Sequence, residues 1–432
     1  MSAPPTYQSP ISPGISWYEA TVGDRPAYPA LDGSRQADVA IVGGGYAGLS
    51  AAIELARQGA DVVLIEQHRF GDGASGRNGG QLGTGQRVAL DEMEKQIGWA
   101  RAKALFDVAE EAKAHLIAFM GENGIDADYR PGQLSVAHKQ RYVDEYRAYA
   151  DYMNEKADYG HVSFMDADET ARRLGSRAYF GGTADMGTGH IHPMKLLVGL
   201  ARVAQAAGAK IFETTPATGI RSQGGRVTVE TPRGTITARN ALIATNAHGG
   251  SLEPKGAAHV MPIGSFIGAT VPLGIESPVL PGGESVDDSR FVVRYFRKSV
   301  DGRLLFGGRE VYSSADPADI RRDIRRQIAE VYPALADVEI THAWGGSVGI
   351  TVPRLPYMCE VMPNVMSIGG FSGHGVMLAN FTGRLYAEAL AGRREKLRLF
   401  EDLRIPAFPG GRRFRPLLMW LALNWFALRD RI

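Results

Sequence analysis

The first continuous apolar run of the chain is Asp38-Val-Ala-Ile-Val42, short enough to be one buried strand. Three glycines follow at 43–45. Tyr46 to Gln58 then places Leu49, Ile53, Leu55 and Ala56 close to a 3.6-residue repeat, with Gly59 in the position of a helix C-cap. A second apolar run, Asp61-Val-Val-Leu-Ile65, ends at Glu66. Strand, helix and strand in this order predict a βαβ unit with parallel strands and a right-handed crossover. Downstream, the pattern predicts one or two helices over 89–121, a strand over Gln133–His138 and a helix over 139–158. A further amphipathic helix is predicted over 193–208, with His192 as N-cap, Pro193 at N1 and Gly208 at its end. Strands are predicted at 210–214, 226–231, 235–238 and 241–245, with a loop at 246–250. The stretch 260–310 reads as β-rich (261–271, 291–296, 303–306), 317–332 as a charged helix, and Val365–Ile368 as a strand leading through glycines into a helix that ends near Leu390. Residues 1–36 carry prolines at 4, 5, 10, 13, 26 and 29, which predicts an irregular leader, with Trp17 and Tyr18 as the residues that pin it to the body.

Composition narrows the class. A chain of 432 residues, 44% hydrophobic and 22% charged, has the balance of a folded protein of two or three domains and excludes a fibrous or disordered one. Glycine is in excess at 53 residues without a Gly-X-Y period, so the excess points to tight turns and close backbone approaches. The formal net charge of +1 provides no global field for nucleic acid. One cysteine, Cys359, excludes an intrachain disulfide and any multi-cysteine metal cluster, and it fits a reducing, cytoplasmic location. Met1–Pro13 lacks the basic and apolar regions of a Sec-type signal. The longest apolar stretch, Leu417–Leu428, is broken by Asn424 and is shorter than the ~20 residues of a spanning helix. Arg412, Arg413 and Arg415 precede it. This tail reads as a helix packed on the body or a partner in preference to one lying on a membrane surface.

Three glycine-rich loops carry the chemistry. Gly43-Gly44-Gly45-Tyr46-Ala47-Gly48 is G-x-G-x-x-G between a strand and a helix, with Glu66 ending the next strand. Gly43 permits the tight turn, Gly45 lets a pyrophosphate approach the backbone, and Gly48 lets the helix pack close to the sheet. The free N–H groups of the helix start attract phosphate, and Glu66 can accept hydrogen bonds from ribose hydroxyls. This context points to dinucleotide binding without separating NAD from FAD. A second loop, Gly73-Ala74-Ser75-Gly76-Arg77-Asn78-Gly79-Gly80-Gln81, suits a long cofactor extended across the sheet edge. In it, Arg77 faces either a phosphate or a flavin carbonyl, unless the loop is a solvated turn. The third, Gly369-Gly370-Phe371-Ser372-Gly373-His374-Gly375-Val376, joins a strand to a helix whose N-terminus can stabilise the anionic end of a reduced flavin. His190 and His192 resemble a metal pair, but no third ligand lies near in sequence, and helix capping suits His192 better. No H-E-x-x-H, G-x-S-x-G or P-loop lysine motif occurs.

Together with Gly189-His-Ile-His-Pro193 and Phe408-Pro-Gly-Gly411, these loops resemble the D-amino-acid-oxidase-type family of FAD-dependent amine oxidases, and within it the γ-glutamylputrescine-oxidising branch. The resemblance runs along nearly the whole chain. It implies an α/β fold in which a Rossmann-like FAD-binding domain (37–88, 189–255 and 340–400) interleaves with a mixed or antiparallel-sheet substrate domain (89–188 and 256–339), between a leader (1–36) and a tail (401–432). It implies an FAD held without a covalent bond, since the 73–81 loop lacks His and Cys and Cys359 is displaced from the expected linking position. Gln67, Ala217, Thr245, Asn246 and Gly346 join the three loops as implied cofactor neighbours, and His374 and Trp344 are the candidates beside the flavin. His374 is otherwise a turn histidine, and Trp344 otherwise core packing. Sarcosine-type members place a lysine after the Gly-His-Gly turn to hold the substrate's α-carboxylate, whereas this chain has Met377. An amine with a distant carboxylate, such as γ-glutamylputrescine, is therefore the implied substrate, with Arg294, Arg297 or Arg309 as candidates for that carboxylate. The implied reaction is hydride transfer to flavin N5, giving an imine and then aldehyde and ammonia, with dioxygen reduced to hydrogen peroxide. An amino- or imino-acid oxidase and a membrane-associated dehydrogenase using a quinone are the alternatives. The implied partners are thus a small amine and dioxygen, with no oligomeric state specified.

Overall fold

The computed structural model describes residues 7–250, 252–274, 276–311 and 317–409. Val39–Val42 and Val62–Ile65, buried at every position, lie side by side and parallel, with the helix Tyr46–Arg57 between them in sequence. Two-sided burial is the environment that continuous aliphatic runs demand. These strands sit inside a six-stranded sheet whose order is Tyr357–Met362, Val365–Gly369, Asn240–Ile243, Val39–Val42, Val62–Ile65, Lys210–Phe212. All neighbours are parallel except the first pair. The helices Tyr46–Arg57 and Gly375–Leu390 touch backbone to side: a methyl on Gly383 would lie 2.1 Å from the Ala47 carbonyl oxygen.

The second domain is an eight-stranded sheet in the order Ile340–Ile350, Met261–Pro272, Arg303–Val311, Tyr295–Lys298, Ser285–Asp288, Arg130–Val136, Gly182–His190, Val162–Met165. One face is apolar. Leu134, Val136, Val286, Phe296 and Phe306 pack there with Ile320, Ile324 and Ile328 of the helix Pro317–Val331, forming a core separate from that of the first domain. A four-stranded sheet (Arg35–Gln36, Gly234–Ala238, Arg226–Thr231, Gly219–Gln223) caps the first domain.

Several expectations change. The strand Ile340–Ile350 belongs to the eight-stranded sheet, pairing Met261–Pro272, so the return to the first domain comes at Tyr357 and not at 340. Within the 89–188 segment, the helix Trp99–Glu122 buries Leu105, Phe106 and Leu116 in the same core as Phe381 and Leu385, and Arg384 meets His115 Nδ1 at 2.8 Å. That helix therefore braces the first domain. The strand expected at 291–296 lies at Tyr295–Lys298. Gly182–His190 and Ile340–Ile350 escape prediction because their glycines dilute the apolar alternation. The glycines are there for close strand approach: a methyl on Gly182 would lie 2.1 Å from the Ser135 carbonyl oxygen. The leader is largely irregular, with one short helix, Trp17–Thr21. Trp17 and Tyr18 are buried against His192, and Tyr18 against Trp344, which pins the leader as expected. The apolar tail 417–428 lies outside the described residues, among which no helix is long and apolar enough to cross a membrane.

Candidate cofactor and substrate site

A cavity of about 660 Å³ opens at the carboxyl ends of the parallel strands, where ligands bind in open α/β sheets. Its floor is the turn into the helix Tyr46–Arg57. Gly43 has φ +110°, a conformation that favours glycine, and a methyl there would meet the Ala244 carbonyl oxygen at 2.7 Å. A methyl on Gly48 would lie 1.9 Å from the Gly43 carbonyl oxygen, so the third glycine sets how close the helix sits to the turn. The Glu66 carboxylate accepts the Gly44 N–H at 2.8 Å and the His68 N–H at 3.1 Å, and burial pushes its pKa up. Ser75 Oγ accepts the Tyr46 N–H at 3.1 Å, tying the second loop to the helix start.

Of the expected cofactor neighbours, Gly43, Gly45, Tyr46, Ala47, Glu66 and Gln67 line this cavity. So do Ala74, Ser75, Asn78, Ala217, Thr245, Asn246, Gly373, Gly375 and Val376. The remainder are placed elsewhere. Arg77 corrects its reading: its buried guanidinium donates to the carbonyls of Pro13 and Gly14, both at 2.7 Å, and of Gly345. It is a strut between leader and sheet. Burial lowers its pKa to about 10. Gly79 and Gln81 face Tyr295 and Tyr18 in a small adjoining recess, Gly80 packs on Ile191 and Arg297, and Gly346 packs on Arg77. Gly370 is one step removed, its N–H donating to Asn246 Oδ1 at 2.8 Å.

Neither candidate beside the flavin lines the cavity. Trp344 is fully buried, with Nε1 donating to the Arg77 carbonyl at 3.1 Å, which makes it core packing. His374 stands behind Gly373 with its ring against Gly83, and its pKa is pushed down to about 3 by burial and by the positive Arg87 and Lys113. His192 is the cap its sequence suggested: Nδ1 accepts the Lys195 N–H at 3.2 Å. His190 lies 2.8 Å from the Gly283 carbonyl. Among the arginines proposed for a distal carboxylate, Arg294 pairs with Glu330, and Arg297 donates to the Gly79 carbonyl at 2.7 Å and to the Tyr18 hydroxyl at 3.1 Å. The Arg309 side chain lies outside the described residues. Met377 is buried within the helix.

Sequence reasoning missed Ile11, His68, His248, Val348 and Phe371, all on the cavity wall. They come from five separate segments, and only folding juxtaposes them. Two of them test the fit of a dinucleotide. His68 Nε2 and His248 Nε2 are buried polar atoms with no hydrogen-bond partner, and both residues line the cavity. Buried nitrogens of this kind need a polar occupant. Among the described residues the lining contains no lysine or arginine, so backbone N–H groups and the helix start at Tyr46 are what it offers to phosphate. The cradle fits a long, phosphate-bearing cofactor.

Residues 38–389 match the family model described as FAD dependent oxidoreductase (DAO). The chain is 62% identical over 426 residues to a probable oxidoreductase OrdL of Rhizobium meliloti, covering 99% of this chain and 100% of that protein. It is 35% identical over 424 residues to the gamma-glutamylputrescine oxidoreductase of Escherichia coli, covering 96% and 98%. Among solved structures, glycine oxidase from Geobacillus kaustophilus superposes with a TM-score of 0.73 at 24% identity, covering 86% of this chain and 99% of that one.

Proposed function

The chain belongs to the DAO family of FAD-dependent oxidoreductases, and from that premise we propose that it is a cytoplasmic amine oxidase acting on the primary amine of a substrate such as γ-glutamylputrescine. The observation that carries this reading is Met377, buried at the position where sarcosine-type enzymes keep a lysine. An α-amino acid would find no cation there for its carboxylate, whereas an amine whose reacting end is uncharged needs none. The 35% identical relative named for gamma-glutamylputrescine supports the same substrate class.

In this proposal the lining residues hold the FAD without a covalent bond: the turn at Gly43–Gly48 takes the pyrophosphate, Glu66 the ribose, and the helix start at Gly375 the ring's anionic edge. The bound FAD supplies hydride acceptance from the carbon bearing the amine and reoxidation by dioxygen. The chain orients the neutral amine and limits water. Substrate, dioxygen and water then balance to aldehyde, ammonia and hydrogen peroxide. The test is anaerobic mixing with γ-glutamylputrescine while the visible absorbance is followed. Bleaching that returns in air with peroxide is expected. Bleaching that persists in air would instead indicate a dehydrogenase, and no bleaching would remove this substrate.

A further inference from the structure

We infer that Asn246 and Ser372 are positioning residues: they hold the turn Gly370–Gly373 in the shape that sets the reduction potential of the bound flavin, and they key that turn to the substrate sheet. The inference rests on the cofactor placement proposed above, in which the helix start at Gly375 faces the ring's anionic edge. Gly370, Ser372 and Gly373 have φ of +72°, +54° and +99°, and Asn246, which touches the turn, has φ +49°. The two that are not glycine, Asn246 and Ser372, both line the cofactor cavity. Residues with a side chain rarely adopt this conformation, and it persists only where surrounding contacts over-determine it.

Those contacts come from separate segments. Asn246 Oδ1, on the loop after the strand Asn240–Ile243, accepts the Gly370 N–H at 2.8 Å. The Gly349 carbonyl, near the end of the substrate-sheet strand Ile340–Ile350, accepts the Ser372 N–H at 2.9 Å. Ser372 Oγ donates to the Gly370 carbonyl at 3.1 Å and accepts the Thr351 N–H at 3.3 Å. Gly349 also packs on Asn246: a methyl there would lie 2.1 Å from Asn246 Oδ1. The turn then closes into the helix Gly375–Leu390, with the His374 N–H donating to the Phe371 carbonyl at 2.9 Å. Gly375 and Val376, the first two residues of that helix, line the cavity. The direction of their N–H groups follows from the turn, and the shape of the turn from Asn246 and Ser372. Donors fixed in advance toward developing negative charge favour the reduced, anionic ring and raise its potential. A loosened turn lets them reorient, which lowers it. Gly349 and Thr351 supply part of the turn's hydrogen bonds, so the cofactor wall and the substrate sheet are tied at this point.

The test measures the midpoint potential of the FAD-loaded protein, by equilibration with a redox dye, in the parent and in Asn246→Gly, Ser372→Gly and Gly349→Ala. The two changes to glycine remove a hydrogen-bonding side chain while relieving its backbone, so a role in folding alone would leave the potential where it is. In each, the reduction equilibrium is expected to shift at least tenfold toward the oxidised form, about 30 mV for two electrons. Gly349→Ala is expected to shift it in the same direction, and to add nothing in the Asn246→Gly background, where the obstructing side chain is gone. A potential that is unchanged or higher in Asn246→Gly and Ser372→Gly overturns the inference; where one of the two fails to fold, the other decides. A full additional shift from Gly349→Ala in the Asn246→Gly background overturns the tie to the substrate sheet. Loss of flavin from both glycine variants, with the fold intact by circular dichroism, would mean that the turn serves retention alone and also overturns the inference. No amine enters this measurement. An amine that fails to bleach the flavin therefore leaves its result standing, and an unmoved potential leaves the amine-oxidase reading standing.

Discussion

A single methyl group decides how the first helix meets its turn. At Gly48 it would lie 1.9 Å from a backbone carbonyl oxygen, which no side-chain rotation can relieve. Overpacking of this sort costs about 1–3 kcal/mol, and here it also displaces the N–H groups that face the cavity. Gly48→Ala is expected to lower the midpoint of thermal unfolding and to weaken FAD binding at least tenfold, read by flavin fluorescence on dilution. Gly121 provides the contrast: it ends a long helix with nothing within 4 Å of an added methyl. Gly121→Ala should leave FAD binding unchanged and raise stability by about 0.5–1 kcal/mol. A Gly48→Ala protein that retains FAD would show that the turn adapts. The spacing of the motif made Gly48 legible in the sequence. Arg77 was not, because its partners, the carbonyls of Pro13, Gly14 and Gly345, are generic backbone groups from remote segments. A charged residue in a glycine loop reads the same whether it faces a ligand or a strap.

Helix starts show a similar division. The His192-Pro193 pair announces the helix Pro193–Ala206, because a cap acceptor followed by a residue with fixed φ is a local signal. The cap holds only while His192 Nδ1 keeps its lone pair, and burial together with Arg297 pushes the His192 pKa down to about 3. His190 is pushed down to about 3 by burial and the same arginine. In the unfolded chain both would titrate near 6.5. Below that pH the unfolded state takes up protons that the folded state refuses. Stability is therefore full above pH 6.5 and falls as the pH drops toward 3, by up to about 3 kcal/mol per pH unit from the two rings. Thermal unfolding between pH 7.5 and 5 should show this loss, and His192→Asn, which keeps a cap acceptor without titrating, should shallow it. An unaltered slope in the variant would remove His192 from the effect. Strands such as Gly182–His190 and Ile340–Ile350 give no such local signal. Their pairing comes from neighbours already in place, so the first domain was readable in outline while half of the substrate sheet was not.

At the scale of the molecule, the leader joins parts that neither sheet joins by itself. Tyr7 donates to the Asp72 carboxylate and Ser12 to the Asp72 carbonyl, on the cavity's second loop. Pro13 accepts the Gly345 N–H at 3.0 Å, on the strand Ile340–Ile350 of the other sheet, and Arg77 clasps the Pro13 and Gly14 carbonyls from below. Between these ties Ile11 lines the cavity. The leader therefore spans the two walls around the cofactor cleft, downstream of which Trp17 and Tyr18 anchor it independently. Deleting residues 1–14 leaves that aromatic anchor and both cores intact, so the protein should still fold. It removes two acceptors of a buried guanidinium and the cavity-lining Ile11. On the proposed noncovalent attachment, release of FAD should accelerate about tenfold or more, a loss of about 1.4 kcal/mol or more of retention. The rise of free flavin fluorescence after dilution measures it directly. A release rate within twofold of the intact chain would mean that the two walls hold the cofactor without the leader, and that the clasp by Arg77 serves the fold alone.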